Sequence, residues 1–292
     1  MTDLSKGLHA IVRGDDPAQA SAREAFFHAA TGGDVADDAA GRILARDVMG
    51  LLGQRDPQAI RKRLGQMRVS AASRLRAMGS PAPVGLRHDA APGDVEEVRR
   101  IQPYAHYFAV EEYDVRFRRF DGSMSEVVNR GVFISGDAVT VLPYDPVRDR
   151  VLLVEQWRAG PWGRDDPQPW LLEPIAGRID PGEPPEETAR REAVEEADLT
   201  VGALHLASAF YPSPGAKAEF VYAYVGMADL PDDAAGVFGL EGEAEDIRGH
   251  LIPFADLMDR IGRGEIQSAP LLITAYWLAS QRDRLRGAVT GA

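Results

Sequence analysis

Residues 177 to 199, GRIDPGEPPEETARREAVEEADL, constrain this chain more than any other stretch, because they set a glycine- and proline-rich loop directly before a strongly charged helix. Gly177, Pro181 and Gly182 permit a tight loop, and the helix begins near Pro184 or Pro185, where proline is tolerated in a first turn. On that helix Glu192 and Glu196 are i,i+4 neighbours, and Glu195 lies alongside. Three carboxylates crowd one side, at a cost of a few tenths of a kcal/mol per like-charged pair, roughly, in an isolated helix. A hard divalent cation would offset that cost, since Mg²⁺ takes oxygen ligands in octahedral geometry and shares them among carboxylates, waters and phosphates. Glu183 would approach the same place from the loop. The other offset is a solvated, salt-bridged helix face, with Arg191 paired to Glu187 and Glu195 and Arg190 to Glu186.

Composition narrows the chemistry. The chain has no cysteine, which excludes disulfides, thiolate nucleophiles and Cys-containing zinc sites and leaves only oxygen or histidine ligands for a metal. A net charge of -12 argues against a nucleic acid as main partner, because that affinity rests on clustered Lys and Arg. An anionic substrate must therefore meet local cations, from side chains or from metal. The opening residues lack an apolar core of signal-peptide length, and no run of about 18 apolar residues occurs, so no membrane partner is expected and the expected location is the cytoplasm.

At 292 residues there is room for one full domain and a smaller one. From about Pro17 to Met78 apolar residues recur at helical spacing, in AREAFFHAA, AAGRILARDVMGLLG and PQAIRKRLGQMRVSAASRLRAM, with Ile60, Leu64, Met67 and Leu75 roughly on one stripe. Gly32-Gly33 and Arg55-Asp56-Pro57 punctuate these helices. The stretch 79 to 94, GSPAPVGLRHDAAPGD, suits a linker, which places a helical N-terminal segment over 1–93 and a second domain over 94–292. Beyond it come short alternating runs with a hairpin turn at Asp121-Gly122, then AVTVLPYD and VLLVEQWR separated by the Asp145-Pro146 turn. The runs LHLASAF, EFVYAYVGM and IRGHLIPF and a closing helical region from Phe254 to Arg284 complete the chain. Strands around one central charged helix make an α/β or α+β domain.

The full spacing is Gly177, five residues, Glu183, seven residues, Arg191-Glu192, two residues, Glu195-Glu196, and then apolar Leu199. That spacing resembles the Nudix box. Asp198 stands where the box normally has glycine, at a left-handed helix end that Asp tolerates less readily than Gly. Ala193 replaces a larger apolar residue. The stretches YPSPG with Glu219, and GLEGEAEDIRGHLIPF, look like the Ser-Pro-Gly loop and the acidic loop of ADP-ribose pyrophosphatases. This likeness runs from about residue 104 to the C-terminus and leaves the helical segment unmatched.

The resemblance implies a Nudix fold, a mixed sheet sandwiched by helices and preceded by an antiparallel strand unit used in forming a homodimer. It implies Mg²⁺, or Mn²⁺, held by Glu192, Glu196, Glu245 and the carbonyl of Ala176, with Glu243 as catalytic base and Glu195 as the alternative base. It places Tyr107, Arg130 and Arg158 near adenine, and Ser213, Pro214, Gly215 and Glu219 near the terminal ribose. The implied reaction is hydrolysis of the pyrophosphate of ADP-ribose to AMP and ribose 5-phosphate. The alternatives are another nucleotide sugar, such as GDP-mannose, or a module that senses ADP-ribose without cleaving it.

Overall fold

A computed structural model describes residues 5–238 and 246–290. Its contacts form two units, Met1–Asp137 with Ser213–Glu219, and Ala138–Pro212 with Phe220–Ala292.

The first unit begins with helices α1 (Leu8–Arg13), α2 (Ala20–Thr31), α3 (Ala39–Gly50), α4 (Pro57–Lys62) and α5 (Leu64–Gly79). Their ends follow the punctuation of the sequence. Asp38 caps α3 by accepting from the Gly41 amide at 2.8 Å, Asp56 caps α4 by accepting from Gln58 at 2.8 Å, and Gly32 ends α2 in the left-handed region. Phe27, Ile43, Val48, Ile60 and Met67 form the shared core, with Leu64 and Leu75 packed against it. The sequence predicts one helix over residues 57 to 78, and the structure breaks it at Arg63. There the backbone closes a tighter turn onto the Ile60 carbonyl, while the Arg63 side chain bonds the carbonyl of His106. A tertiary contact overrides helix propensity at that position.

The stretch after α5 is irregular and exposed up to residue 93, as its proline and glycine content implies. It leads into β1 (Val95–Ala105), β2 (Ala109–Phe117) and β3 (Val128–Ile134), which pair antiparallel, while β9 (Lys217–Ala218) runs parallel to β3. The turn at Asp121-Gly122 forms as expected, with Gly122 at φ 85°. β1 is not legible as a strand because its pairing shifts at Glu97/Arg99 and again at Ile101/Tyr104, which breaks the two-residue alternation. Charged side chains tie the helices to these strands: Arg74 and Arg100 both bond Asp47, and Arg74 also bonds Glu111 at 3.3 Å.

The second unit is a mixed sheet of β4 (Ala138–Asp145), β5 (Arg150–Trp157), β6 (Trp170–Glu173), β7 (Ile175–Arg178), β8 (Leu204–Phe210), β10 (Val221–Met227), β11 (Val237–Phe238) and β12 (Ile247–Pro253). Its order is β11-β12-β5-β4-β10-β8, with β10 parallel to β4. β4 and β5 pair only beside their turn, then part so that β7 joins the start of β4 and β6 the end of β5. The helices are α6 (Ala159–Gly163), α7 (Pro185–Ala197), α8 (Phe254–Gly262) and α9 (Ala269–Thr290).

The apolar runs of β4, β5 and β10 are continuous because both faces are covered. Val139, Val141, Leu152, Val154 and Tyr224 pack toward Ala189, Ala193 and Ala197 of α7. Leu142, Tyr144, Val151, Leu153 and Val225 pack toward α8 and α9 through Phe254, Leu257, Leu271, Ala275 and Leu278. A mixed sheet between two helical layers is the expected architecture.

Candidate active site

Helix α7 lies on the sheet with its alanine stripe inward, which fixes the side on which its carboxylates stand. Pro184 precedes it, Pro185 occupies its first turn, and Gly182 turns the preceding loop at φ 84°. Ala189 and Ala193 are fully buried, and small side chains there bring the helix close to β7. Glu196 is only 3% exposed, and its Oε2 accepts a hydrogen bond from the Ala176 amide at 3.1 Å. Glu192 comes so close to β7 that a Cβ on Gly177 would meet its carboxylate at 1.9 Å. The glycine is there for close approach, not for a turn.

Arg191 organises the other acids. It donates to Glu192 at 2.7 Å, to Glu195 at 2.8 Å and to Glu183 at 3.2 Å, and reaches the Arg178 carbonyl at 3.2 Å. Burial works against the Glu183 charge, but the bonds from Arg191 and Thr188 outweigh it and hold the carboxyl below its ordinary range. Burial likewise opposes the Arg191 charge, and its acidic partners raise its pKa despite that. Part of the salt-bridged reading of this helix therefore holds, through Glu195 but with Glu183 and Glu192 in place of Glu187. Arg190 donates instead to the carbonyls of Val201 and Gly202.

Ala176, Glu192 and Glu196 thus converge where β7 meets α7. Their donors are hard oxygens, and the Gly177 opening leaves the Glu192 carboxylate against the strand, so the residues present fit a Mg²⁺-type cation. Among the described residues no group of three or more metal-ligating side chains gathers. Glu243 and Glu245 lie outside the described residues. Glu195, a third exposed, stands beside this group through Arg191.

The remaining candidates are spread over both units. Arg158, in the second unit, is paired with Glu173 at 2.5 Å. In the first unit Tyr107 is 60% exposed and meets Phe108 edge-on at 4.9 Å, and Arg130 bonds the carbonyl of its neighbour Asn129. Ser213, Pro214 and Gly215 form an exposed turn in which the Ser213 carbonyl accepts from Ala216 and Lys217. Glu219 is held by Lys217 at 2.8 Å and Ser135 at 3.2 Å. The sequence reading missed the central part of Arg191 and the close approach at Gly177. A glycine in a strand directly ahead of a carboxylate helix is the signal that could have revealed the second.

A sequence model of the NUDIX domain matches residues 135–272. The chain is 39% identical over 193 residues to an ADP-ribose pyrophosphatase of Escherichia coli (strain K12), covering 66% of this chain and 91% of that protein. The chain belongs to the Nudix hydrolase superfamily. The ADP-ribose pyrophosphatase of Haemophilus influenzae is 35% identical over 63% of this chain and 86% of its own length. A GDP-mannose pyrophosphatase of Enterobacter is 33% identical over 59% of this chain and 88% of its own length. A solved structure described as an ADP compounds hydrolase shares the fold at TM-score 0.50 and 22% identity, covering 66% of this chain and 98% of that one. This Nudix pyrophosphohydrolase departs from its box at Asp198, which takes the left-handed conformation of the usual glycine, at φ 49° and ψ 38°. The amides of Asp198 and Leu199 still bond back to Val194 and Ala193, so the helix end keeps its geometry. No helix among the described residues is long and apolar enough to cross a membrane.

Proposed function

We propose that this Nudix enzyme hydrolyses the pyrophosphate of ADP-ribose to AMP and ribose 5-phosphate. The observation that carries the reading is the junction of β7 and α7, where the Ala176 amide fixes Glu196 and Gly177 admits Glu192. Its support on the substrate side is the 39% identity to a relative named for ADP-ribose.

Glu192, Glu196, Glu245 and the carbonyl of Ala176 would hold Mg²⁺, or Mn²⁺ in its place. Bound there, the cation supplies charge neutralisation at the phosphates and acidifies water. Glu243 takes the proton of the attacking water, and Glu195 is the other candidate base. Arg191 donates to Glu183, Glu192 and Glu195 together, which holds the three carboxylates in place around one guanidinium. Tyr107, Arg130 and Arg158 contact the adenine end, and Ser213, Pro214, Gly215 and Glu219 the terminal ribose. The protein acts in the cytoplasm as a homodimer, with residues 1–93 a helical segment ahead of a Nudix domain over 94–292.

The test is AMP release from ADP-ribose with Mg²⁺, with EDTA, and in Glu196→Gln, which keeps the side chain's shape and removes its charge. Release that EDTA and the substitution both abolish supports the reading. Binding without release in the native protein would establish a sensor instead. The relative named for GDP-mannose motivates one rival substrate. Faster turnover of GDP-mannose than of ADP-ribose at equal concentration would replace the substrate assignment and leave the carboxylate assignments standing. Sedimentation of the full chain tests the dimer.

A further inference from the structure

The first unit contains a groove of about 870 Å³ between α4, the start of α5 and the β1–β2 turn. Small-molecule sites commonly span roughly 300 to 1,000 Å³. Arg55, Lys62 and Arg63 line it from the helices, and Tyr104, His106 and Tyr107 from the turn. Tyr104 and Tyr107 are 50% and 60% exposed, yet each ring is braced by a neighbour, His106 at 5.1 Å and Phe108 at 4.9 Å. Flat faces are therefore presented on a fixed wall.

Charge makes the groove unusual in a chain of net charge -12. Three cations line it beside one acid, Asp56, whose carboxylate already accepts the amides that start α4. Arg55 bonds the Gln102 carbonyl, while Arg63 bonds the His106 carbonyl and the Gln102 amide oxygen, all neutral acceptors that leave the positive charge in place. Among the described residues Arg55, Lys62 and Arg63 form no ion pair. Burial, and after it the nearby Arg55 charge, depress the Arg63 pKa, with Glu111 opposing them in part. Two guanidinium groups held near each other, with a lysine in the same groove, favour an anion.

We propose that this groove binds a nucleoside phosphate, its ring on the Tyr104–Tyr107 wall and its phosphate against Arg55, Lys62 and Arg63. Aromatic faces supply stacking that cations alone cannot, and the cations supply the phosphate contact that stacking alone lacks. The helical segment thereby becomes a ligand-binding element. Tyr107 also belongs to the substrate assignment above, so a nucleotide in this groove and the substrate would exclude each other at that ring, and the groove adds three residues from a region the family resemblance leaves unmatched.

Amide hydrogen exchange of the full-length protein, with and without AMP and with inorganic phosphate alone, tests this. AMP is expected to slow exchange in residues 56–66 and 103–107, and phosphate alone to do so only at higher concentration. Lys62→Glu is expected to raise the AMP concentration for half-maximal slowing by about tenfold, and Lys62→Arg by less than about threefold. Lys62 is exposed, so both variants should keep the fold. No slowing in residues 56–66, whatever happens at 103–107, or an unchanged response in Lys62→Glu, overturns the proposal. Slowing confined to residues 176–196 also overturns it, while the hydrolase reading, measured separately by AMP release, would stand.

Discussion

Gly177 and Glu192 occupy almost the same space: the glycine's missing Cβ would sit 1.9 Å from the glutamate's carboxyl carbon. Gly177→Ala must therefore push Glu192 off the strand. The expected result is a folded protein whose kcat/KM falls by about 100-fold, since a misplacement near 1 Å at a catalytic group costs about that much. Circular dichroism alongside steady-state kinetics checks it, and native activity in the variant would show that Glu192 need not be where the structure puts it.

Arg191 bridges three carboxylates, two of them less than a fifth exposed. Arg191→Met leaves those acids without their shared partner, and the expected loss of stability is roughly 3 kcal/mol. Arg191→Lys should recover little of it, because an ammonium cannot reproduce the several directed N–H bonds. Urea unfolding of both variants gives the comparison. Equal stability of the lysine variant and the native protein would mean that charge alone holds the cluster.

Asp149 stands in the turn between β4 and β5 and ties it to α9 through Arg282. It accepts from Arg282 at 2.7 Å and from the Tyr144 hydroxyl at 2.8 Å, and pairs with Arg286. The bond from Arg282, more than the opposing burial, holds its carboxyl below the ordinary range. A carboxyl depressed on folding stabilises the protein fully above its unfolded pKa, about 4, and loses that contribution as pH falls through the lower folded value. Asp149→Asn keeps a side chain tolerant of its φ of 56° but cannot ionise. The variant should be less stable by about 1 to 2 kcal/mol at pH 7 and lose less than the native protein between pH 5 and pH 3. Parallel pH-dependent slopes would remove Asp149 from the acid response.

Asp198 predicts a small and a large effect at one position. Asp198→Gly should change stability by less than about 0.5 kcal/mol, because relief of the left-handed backbone is balanced by greater freedom of the unfolded chain. Asp198→Val should cost about 1 to 2 kcal/mol, since a β-branched residue is poorly suited to φ 49°. Thermal melts of the two variants suffice.

Deleting residues 1–93 takes Asp47 and Arg74 away from Arg100 and Glu111, and Glu111 is buried. The remainder should lose about 3 to 5 kcal/mol, read as a lower urea midpoint. A truncated protein of native stability would show that residues 94–292 fold without help from the helices.

The sequence determined much of this protein by itself, wherever a local rule sufficed. The strands at 138–145, 204–210 and 247–253 followed from β-branched and apolar runs, and the start of α7 from its prolines. Asp198 at a left-handed helix end followed from the place of glycine in the Nudix box, and the side-by-side carboxylates of Glu192 and Glu196 from helical spacing alone. Tertiary structure decided the rest. It broke the helix at Arg63, whose side chain answers to a carbonyl more than forty residues away. It made a strand of the charged and irregularly paired 95–105, and it chose Glu183 over Glu187 as a partner for Arg191. It also set Gly177 against Glu192 and gathered Arg55, Lys62 and Arg63 beside Tyr104 and Tyr107. The reason is physical: periodicity and capping act over a few residues, whereas close approach and charge pairing depend on distances that only the packed chain defines.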